Sequence, residues 1–159
     1  MKLSPSAMKV QEALNRFGMD CQVVELPQST RTAQEAANTV GCELAQIVKS
    51  LVFKGLQSGN PILVLTSGAN RVNENLLREV VGEPIGKADA DFVRERTGFA
   101  IGGVPPVGHS EPIRTFIDED LMAFDEVWAA AGTPNAVFRL TTSDLRKITE
   151  GAAVIAVHS

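Results

Sequence analysis

The chain has 159 residues, of which 44% are hydrophobic and 21% are charged, and its formal net charge is −4. This balance is typical of one globular domain that buries its own core, and it excludes a disordered chain. An acidic chain does not hold nucleic acid through its overall charge, because non-specific phosphate binding needs a basic surface. Binding of a single RNA end stays open.

The two cysteines, Cys21 and Cys42, do not have the spacing of a zinc ribbon or a CxxC redox site. Two free thiols are typical of a reducing compartment. No apolar run reaches the length of a signal-peptide core or of a membrane span. We therefore expect a cytoplasmic protein that needs no membrane, no metal and no cofactor.

The chain alternates between short helices and short strands. A helix is predicted over residues 6–17 and a strand over 21–26, and Thr32 and Glu35 have the spacing of a capping box that begins a second helix. The other predicted elements, in chain order, are strands at 47–53 and 61–66, helices at 73–81 and 89–96, strands at 99–101 and 113–117, a mostly helical stretch at 119–131, a strand at 136–140, a helix at 143–149 and a strand at 152–157.

These elements predict an α+β fold in a single domain over residues 1–159. The loop KGLQSGNP joins two strands as a hairpin, so these strands must be antiparallel. The irregular order of helices and strands does not fit a doubly wound parallel sheet. We expect a curved, mixed, largely antiparallel sheet of about six or seven strands, surrounded by short helices.

Lys49 is the first candidate for chemistry, because it lies in the middle of the strand IVKSLVF, whose two faces are both largely apolar. Alternate residues of a strand share a face, so Lys49 points the same way as Ile47 and Leu51. An ammonium inside a sheet is costly unless it meets an anion or a water-filled cavity. The alternative is an edge strand from which the lysine reaches solvent, and the residues alone favour neither.

The second candidate is the loop GGVPPVGH, residues 102–109. Prolines fix its backbone, and glycines let its amides approach a ligand, so the N–H groups of Gly102 and Gly103 are able to stabilise an oxyanion. A rigid turn without a site is the more common structure for such a loop. It has neither the P-loop nor the GxGxxG spacing. His109 closes the loop, where it can contact a substrate.

Other residues give weaker signals. The spacing supports neither a Cys-His pair nor a GxSxG nucleophile. The acidic run at 118–120 is expected to begin a helix, since carboxylates favour the positive helix end. Five basic residues of the middle third form either an RNA-facing rim or, by default, a solvated surface: Arg71, Arg78, Lys87, Arg94 and Arg96.

Five segments, in this order, together resemble the YbaK and prolyl-tRNA-synthetase-associated domain family: TAQEAANTVG, QIVKSLVFK, ILVLTSGANRVN, TGFAIGGVPPVGH and TFIDEDL. The resemblance covers most of the chain. It implies a YbaK-like fold with a cleft, and hydrolysis in trans of the ester that joins a wrong, small amino acid to a proline tRNA or a similar tRNA. The implied partners are the acceptor end of an aminoacyl-tRNA and a synthetase, not DNA.

The resemblance also implies a site. Lys49 matches the lysine of the family, Gly102, Pro106 and Gly108 match its GxxxPxG loop, and Ser50 matches the polar residue after the lysine. The family is thought to activate water with the terminal ribose hydroxyl of the tRNA. The catalytic candidates are therefore Lys49, Gly102 and Gly103. The candidates for substrate binding are Thr30, Ser50, Pro106, Gly108, His109, Gly132 and Val137.

The stretch 131–137, AGTPNAV, departs from the glycine-lysine-arginine-glycine turn of the YbaK branch, so the cysteine specificity of that branch is not carried over. Two other functions stay open at this point. One is a non-catalytic module that binds tRNA or a synthetase. The other is a hydrolase of a small ester that is not linked to RNA.

Overall fold

A computed structural model describes residues 3–158, which fold into one mixed sheet with short helices around it. The helices are α1 (Pro5–Arg16), α2 (Ala33–Val40), α3 (Glu74–Val81), α4 (Ala90–Thr97) and α5 (Thr142–Ile148). The strands are β1 (Val24–Glu25), β2 (Ile47–Gly55), β3 (Pro61–Ser67), β4 (Ile85–Lys87), β5 (Arg114–Asp118), β6 (Glu126–Ala130), β7 (Ala136–Thr141) and β8 (Ala153–Ile155). The predicted α+β class is confirmed, with eight strands in place of six or seven.

The helices begin where side chains accept hydrogen bonds from free backbone N–H groups. The predicted capping box is present at α2, where the Thr32 side chain accepts from the Glu35 N–H and the Glu35 side chain accepts from the Thr32 N–H. Gly41 ends this helix in the left-handed conformation, φ 76°. The chain therefore leaves α2 at a fixed angle and enters β2 six residues later, beside the position where the helix began.

The strands follow the order β1-β7-β6-β2-β3-β5-β8, and β4 pairs with β2 outside this path. The hairpin β2–β3 is antiparallel, as predicted, and so are the pairs β1–β7, β6–β7 and β2–β4. The pairs β2–β6, β3–β5 and β5–β8 are parallel. Every residue of β3 is buried, so the centre of the sheet is covered on both faces.

One side of β2 is only partly paired. β3 pairs with it along 48–54, but on the opposite side β6 reaches only residues 47 and 48, and β4 only residues 53–55. Residues 49–52, which we call the open edge of β2, have no strand partner on that side within residues 3–158. The Gly68 N–H donates to Ile47 O and the Gly55 N–H to Asn60 O. Because antiparallel bonding alternates from this register, the N–H and C=O of Ser50 point into the gap.

Among the described residues, two of the three apolar clusters pack on the two faces of the β2–β3 hairpin, and the third, formed by Ala36, Ala37 and Ile47, packs α2 on the start of β2. Of the first two, the larger one lies between the sheet and α1, and it includes Leu14, Leu63, Phe99 and Phe138, all at most 2% exposed. The smaller one covers the opposite face of the β2–β3 hairpin. It consists of Phe53, Ile62, Val64, Leu77, Phe116 and Val157. Burial on both faces fixes the strand register, because a slip of one residue would exchange the two sets.

Two predicted elements are wrong. The stretch 119–131 is a short 3-10 turn followed by β6, in which Val127 and Ala129 are buried in alternation and pair with β7, so the sheet overrides the helical pattern. Residues 99–101 form a turn, closed by the Gly103 N–H donating to Ala100 O. β4 was not predicted. Within residues 3–158, no helix combines the length and apolar character needed to span a bilayer.

The packing of Gly132 on α1 generates a stability prediction. Gly132 has φ 98°, and a Cβ added there would lie 2.6 Å from Ser6 O, whereas Gly151, with φ 85°, has nothing within 4 Å of such a Cβ. Gly151→Ala should lower the free energy of unfolding by about 1 kcal/mol, through backbone strain alone. Gly132→Ala should add roughly 1–3 kcal/mol for overpacking. Urea unfolding of both variants checks this, and equal losses would contradict it.

Candidate active site

A cavity of about 390 Å³ opens at the open edge of β2. We call it the Lys49 cleft. Its walls are the start of α2, the open edge, the turn after α4 and the ends of β6 and β7, and it is lined by residues 30–33, 36, 47–51, 101, 102, 104, 128–130 and 137. Its volume lies in the range of small-molecule sites. The stretch of β2 that is unpaired on one side thus forms the floor of a concave site.

Five of the residues proposed from the sequence lie together in this cleft, although they come from distant parts of the chain. They are Thr30, Lys49, Ser50, Gly102 and Val137. Thr30 is tied to the opposite wall, because its hydroxyl and its N–H both donate to Pro134 O. Val137 is buried in β7. The sequence order of the motifs therefore does identify residues that meet in space.

Lys49 is half-buried, and its Nζ donates to Asn70 O at 2.5 Å. The pKa of Lys49 is lowered from its usual 10.5, first by burial and then by the charge of Arg71, while Asp118 opposes this shift. A carbonyl is a neutral partner, and no carboxylate within residues 3–158 forms a salt bridge with this ammonium. An ammonium in such surroundings gains by pairing with an anionic group that enters the cleft.

A buried carboxylate supports the partner of Lys49. Asp118 is fully buried at the end of β5, and its Oδ2 accepts from the Ser67 N–H and from Asn70 Nδ2, at 2.9 and 2.8 Å. Asn70 Nδ2 also donates to Asp120. These bonds fix the turn whose carbonyl holds Lys49. The acidic run therefore helps to position Lys49. The sequence analysis assigned this run only to the start of a helix. The signal for the second role was the position of Asp118, a carboxylate at the end of an apolar strand.

Ser50 contributes unpaired polar groups. Its Oγ is buried without a hydrogen-bond partner within residues 3–158, as is the Oγ1 of Thr66 on the neighbouring strand. The N–H and C=O of Ser50 also face the gap beside β2. An unsatisfied buried polar group costs about 1–3 kcal/mol, so such groups are rare outside sites that bind ligands or water. The floor of the cleft is thus able to hydrogen-bond a ligand.

The glycine turn places only one of its two proposed amides at the cleft. Gly102 has φ 91° and lines the cleft, and its N–H has no partner among the hydrogen bonds of residues 3–158. The Gly103 N–H donates to Ala100 O at 3.0 Å, and its C=O accepts from the Gly132 N–H at 2.8 Å. The expectation that the Gly103 amide faces a substrate is corrected, because that group is already bonded.

The second half of the loop lies elsewhere. Pro106, Gly108 and His109 line a separate cavity of about 390 Å³, next to the end of α5. His109 Nε2 lies 2.7 Å from Pro105 O, so it donates and holds the loop in shape. Gly132 is buried and does not line the Lys49 cleft. None of these four residues lines the Lys49 cleft, so the geometry does not place them against a ligand there.

The structure adds lining residues that the sequence did not single out. Trp128 and Ala130 line the cleft from β6. They were missed because 119–131 was predicted to be helical. Arg31 lies across from Gly102, since a Cβ on Gly102 would come within 2.8 Å of Arg31 Cγ. The capping box was the sequence signal for Arg31. It identifies Thr32 as the N-cap of α2, so Arg31 lies just before the N-terminus of that helix.

Comparison with known proteins agrees with this geometry. The model of the aminoacyl-tRNA editing domain family matches residues 27–148. The chain is similar to the protein YwhH of Bacillus subtilis, with 30% identity over 140 residues and 88% of each chain covered. It is also similar to the proline–tRNA ligase of Bacillus licheniformis, with 32% identity over 143 residues, which cover 83% of this chain but only 24% of the ligase.

Among solved structures, a protein described as a candidate trans-editing enzyme for prolyl tRNA synthetase superposes with a TM-score of 0.93 and 53% identity, covering 99% of both chains. The two chains therefore match over nearly their entire lengths. In contrast, this chain spans about a quarter of the ligase that it resembles.

The position of His109 predicts an acid-sensitive stability. Burial lowers the pKa of His109 below its usual 6.5, and the hydrogen bond to Pro105 only partly opposes this. The unfolded chain therefore takes up a proton first as the pH falls. The contribution of the neutral imidazole is complete above pH 6.5 and is lost as the pH falls towards the pKa of the folded state.

His109→Gln keeps an N–H donor for Pro105 O and removes the titration. We expect the free energy of unfolding of the wild type, relative to that of this variant, to decrease between about pH 7 and pH 5. Urea unfolding at a series of pH values measures the difference. A difference that does not change with pH would show that His109 is not buried in its neutral form.

Proposed function

The chain belongs to the aminoacyl-tRNA editing domain family and is a hydrolase of mis-charged aminoacyl-tRNA; we propose that the Lys49 cleft hydrolyses the ester in trans at the acceptor end of a proline tRNA or a similar tRNA. The observation that carries this proposal is the half-buried Lys49 ammonium, which among residues 3–158 bonds a carbonyl and no carboxylate, in the same cleft as groups of Ser50 and Gly102 that find no partner in that range. One end of that cleft suits an anion, and the other suits an acyl group.

The lining of the cleft limits the mechanism. Among the described residues that line it there is no Asp, Glu, His or Cys. The cleft lining thus supplies no carboxylate or imidazole base. Within residues 3–158 the hydroxyls of Thr30 and Ser50 bond no such base that could activate them, and the Thr32 hydroxyl is engaged with Glu35 in the capping box of α2. This composition supports a reaction in which the vicinal hydroxyl of the terminal ribose orients the water. Water adds to the ester carbonyl, the bond to the ribose oxygen breaks, and that oxygen takes the proton.

The protein's contribution is then position and electrostatics. Lys49 binds the phosphate of the terminal nucleotide and fixes the acceptor end, because its half-buried ammonium is held at the cleft floor by a neutral carbonyl. The Gly102 N–H donates to the carbonyl oxygen as negative charge develops there. Ser50 holds the aminoacyl group through the backbone N–H that points into the gap beside β2. Removing one such donor typically slows catalysis by about a hundredfold or more.

The apolar part of the cleft lining suits a substrate with a small amino-acid side chain. Ala36, Ala129 and Ala130 form it together with Val137 and Trp128, so apolar groups surround the side chain of the substrate. A synthetase excludes an amino acid smaller than its own only weakly, since a methylene discriminates by about 1–3 kcal/mol. A second site with a confined apolar wall adds the missing discrimination. Alanine and other small residues are therefore the proposed substrates.

Lys49→Met tests the role of the charge, because methionine keeps much of the aliphatic packing. Loss of a half-buried charge that pairs with substrate should cost about 2 kcal/mol or more, so kcat/KM on alanyl-tRNA(Pro) should fall by roughly thirtyfold. Lys54→Met is the matched control. Lys54 lies in the same strand, but it is exposed and stacks on Phe92 at 5.2 Å, so its loss should leave the rate unchanged.

The assay follows deacylation of a panel of mis-charged tRNAs carrying alanine, serine, threonine or cysteine. Wild-type protein that hydrolyses none of them would refute the enzymatic function and favour a binding module. Full activity of Lys49→Met would refute the role of Lys49 alone. Equal rates on a free aminoacyl-nucleotide and on the tRNA would instead favour an esterase that does not depend on the RNA.

A further inference from the structure

A second cavity continues the Lys49 cleft along β2. It has a volume of about 440 Å³ and lies towards β4. The two cavities share part of their lining, namely Ser50, Leu51, Ile101, Gly102 and Val104. Together they follow the open edge of β2. This edge lies between Val48, the last β2 residue that pairs with β6, and Phe53, the first that pairs with β4. A ligand in the Lys49 cleft therefore has a continuous path into this second cavity, which we call the Arg71 groove.

Two exposed cations line the Arg71 groove, Arg71 and Lys87. Neither takes part in a salt bridge within residues 3–158. One carboxylate, Glu74, lines the groove as well, so the lining keeps a net positive charge. Because the whole chain has a net charge of −4, this positive region is local. A local cationic groove beside a catalytic cleft suits an anionic extension of the substrate.

The structure separates the five basic residues of the middle third. Arg96 is paired with Glu111 at 3.0 Å and donates to Gly59 O, so its charge has a partner. Arg78 and Arg94 are exposed on α3 and α4 and do not line the groove. Only Arg71 and Lys87 of this set meet at a concave surface. A solvated surface therefore describes Arg78 and Arg94, whereas Arg71 and Lys87 stay candidates for contact with RNA.

The cations follow one another along the strand. Arg71 is close enough to Lys49 for its charge to lower the pKa of Lys49. Lys87 pairs across from Phe53, four residues beyond Lys49, and four residues of extended strand cover about 13 Å. That span is longer than one nucleotide of an extended RNA strand. Val52, Phe53 and Val72 give the groove apolar walls against which the face of a base packs.

We propose that Arg71 and Lys87 bind the phosphates of the nucleotides that precede the terminal adenosine, so that the single-stranded acceptor end lies along the open edge of β2. This inference rests on the proposed function, because it assumes that the ester occupies the Lys49 cleft. Lys49 then holds the terminal phosphate, and the Arg71 groove holds the next part of the strand. Phosphate contacts of this kind set the register of the RNA without reading its sequence.

The test compares substrates that differ in RNA length: 3′-O-alanyl-adenosine 5′-monophosphate, the alanylated trinucleotide CCA carrying a 5′-phosphate, which has two phosphates more than the mononucleotide, and alanyl-tRNA(Pro). In the double variant Arg71→Ala/Lys87→Ala, kcat/KM on alanyl-CCA should fall about tenfold further than kcat/KM on the mononucleotide, because two phosphates are no longer bound. The dependence of log kcat/KM on log salt should flatten by about 0.7 for each phosphate that the variant no longer neutralises. Arg78→Ala/Arg94→Ala, which removes the same net charge outside the groove, should change neither quantity.

An equal fall in kcat/KM on the short and long substrates would overturn the inference, and so would an equal effect of the Arg78/Arg94 pair. If the wild type hydrolyses no substrate, the proposed function fails, and the inference is decided by fluorescence anisotropy with labelled, uncharged CCA. Weaker binding by Arg71→Ala/Lys87→Ala than by the control pair then supports the groove as an RNA site. Absence of binding, or equal binding by the two double variants, refutes it.

Discussion

The missing pairing on one side of β2 is the constraint on which the site depends. A sheet interior normally satisfies every backbone N–H and C=O, and here β6 and β4 approach the same strand from its two ends without meeting. The gap exposes the backbone of Ser50 at the centre of the domain rather than at its rim. Because β3 is fully buried on the other side, the floor of the cleft stays rigid while it remains open to a ligand.

The surrounding packing keeps this gap from closing. Gly103 O accepts a hydrogen bond from the Gly132 N–H, and Gly132 packs against Ser6 in the first turn of α1. These contacts keep the glycine loop away from β2. On the other face, Asp118 and Asn70 hold the carbonyl that positions Lys49. The cleft thus has an apolar frame behind the glycine turn and a polar frame behind the lysine. Both frames use residues that do not line the cleft themselves.

The sequence predicted those parts of the fold that depend on local interactions. The capping box at Thr32 and the β2–β3 hairpin are set by neighbours in sequence, and both are present. Residues 119–131 were misassigned because the short apolar pattern of β6 fits a helix as well as a strand. Only its pairing with β7 and β2, which are distant in sequence, selects the strand. The family motifs correctly grouped Lys49, Ser50 and Gly102. They could not show that the Gly103 N–H is used by Ala100 O, since that bond depends on the turn geometry.

The absence of Asp, Glu, His and Cys from the described lining of the Lys49 cleft has a consequence for how such a site evolves. In many hydrolases the residues that bind the substrate also tune the proton equilibrium of a catalytic acid or base, so a change of specificity disturbs the chemistry. Here, replacement of Ala36, Ala129 or Val137 changes the space offered to the side chain without removing a catalytic acid or base. Paralogues with this cleft are therefore free to diverge in the amino acid they accept, one wall residue at a time, while the groups that act on the ester stay in place.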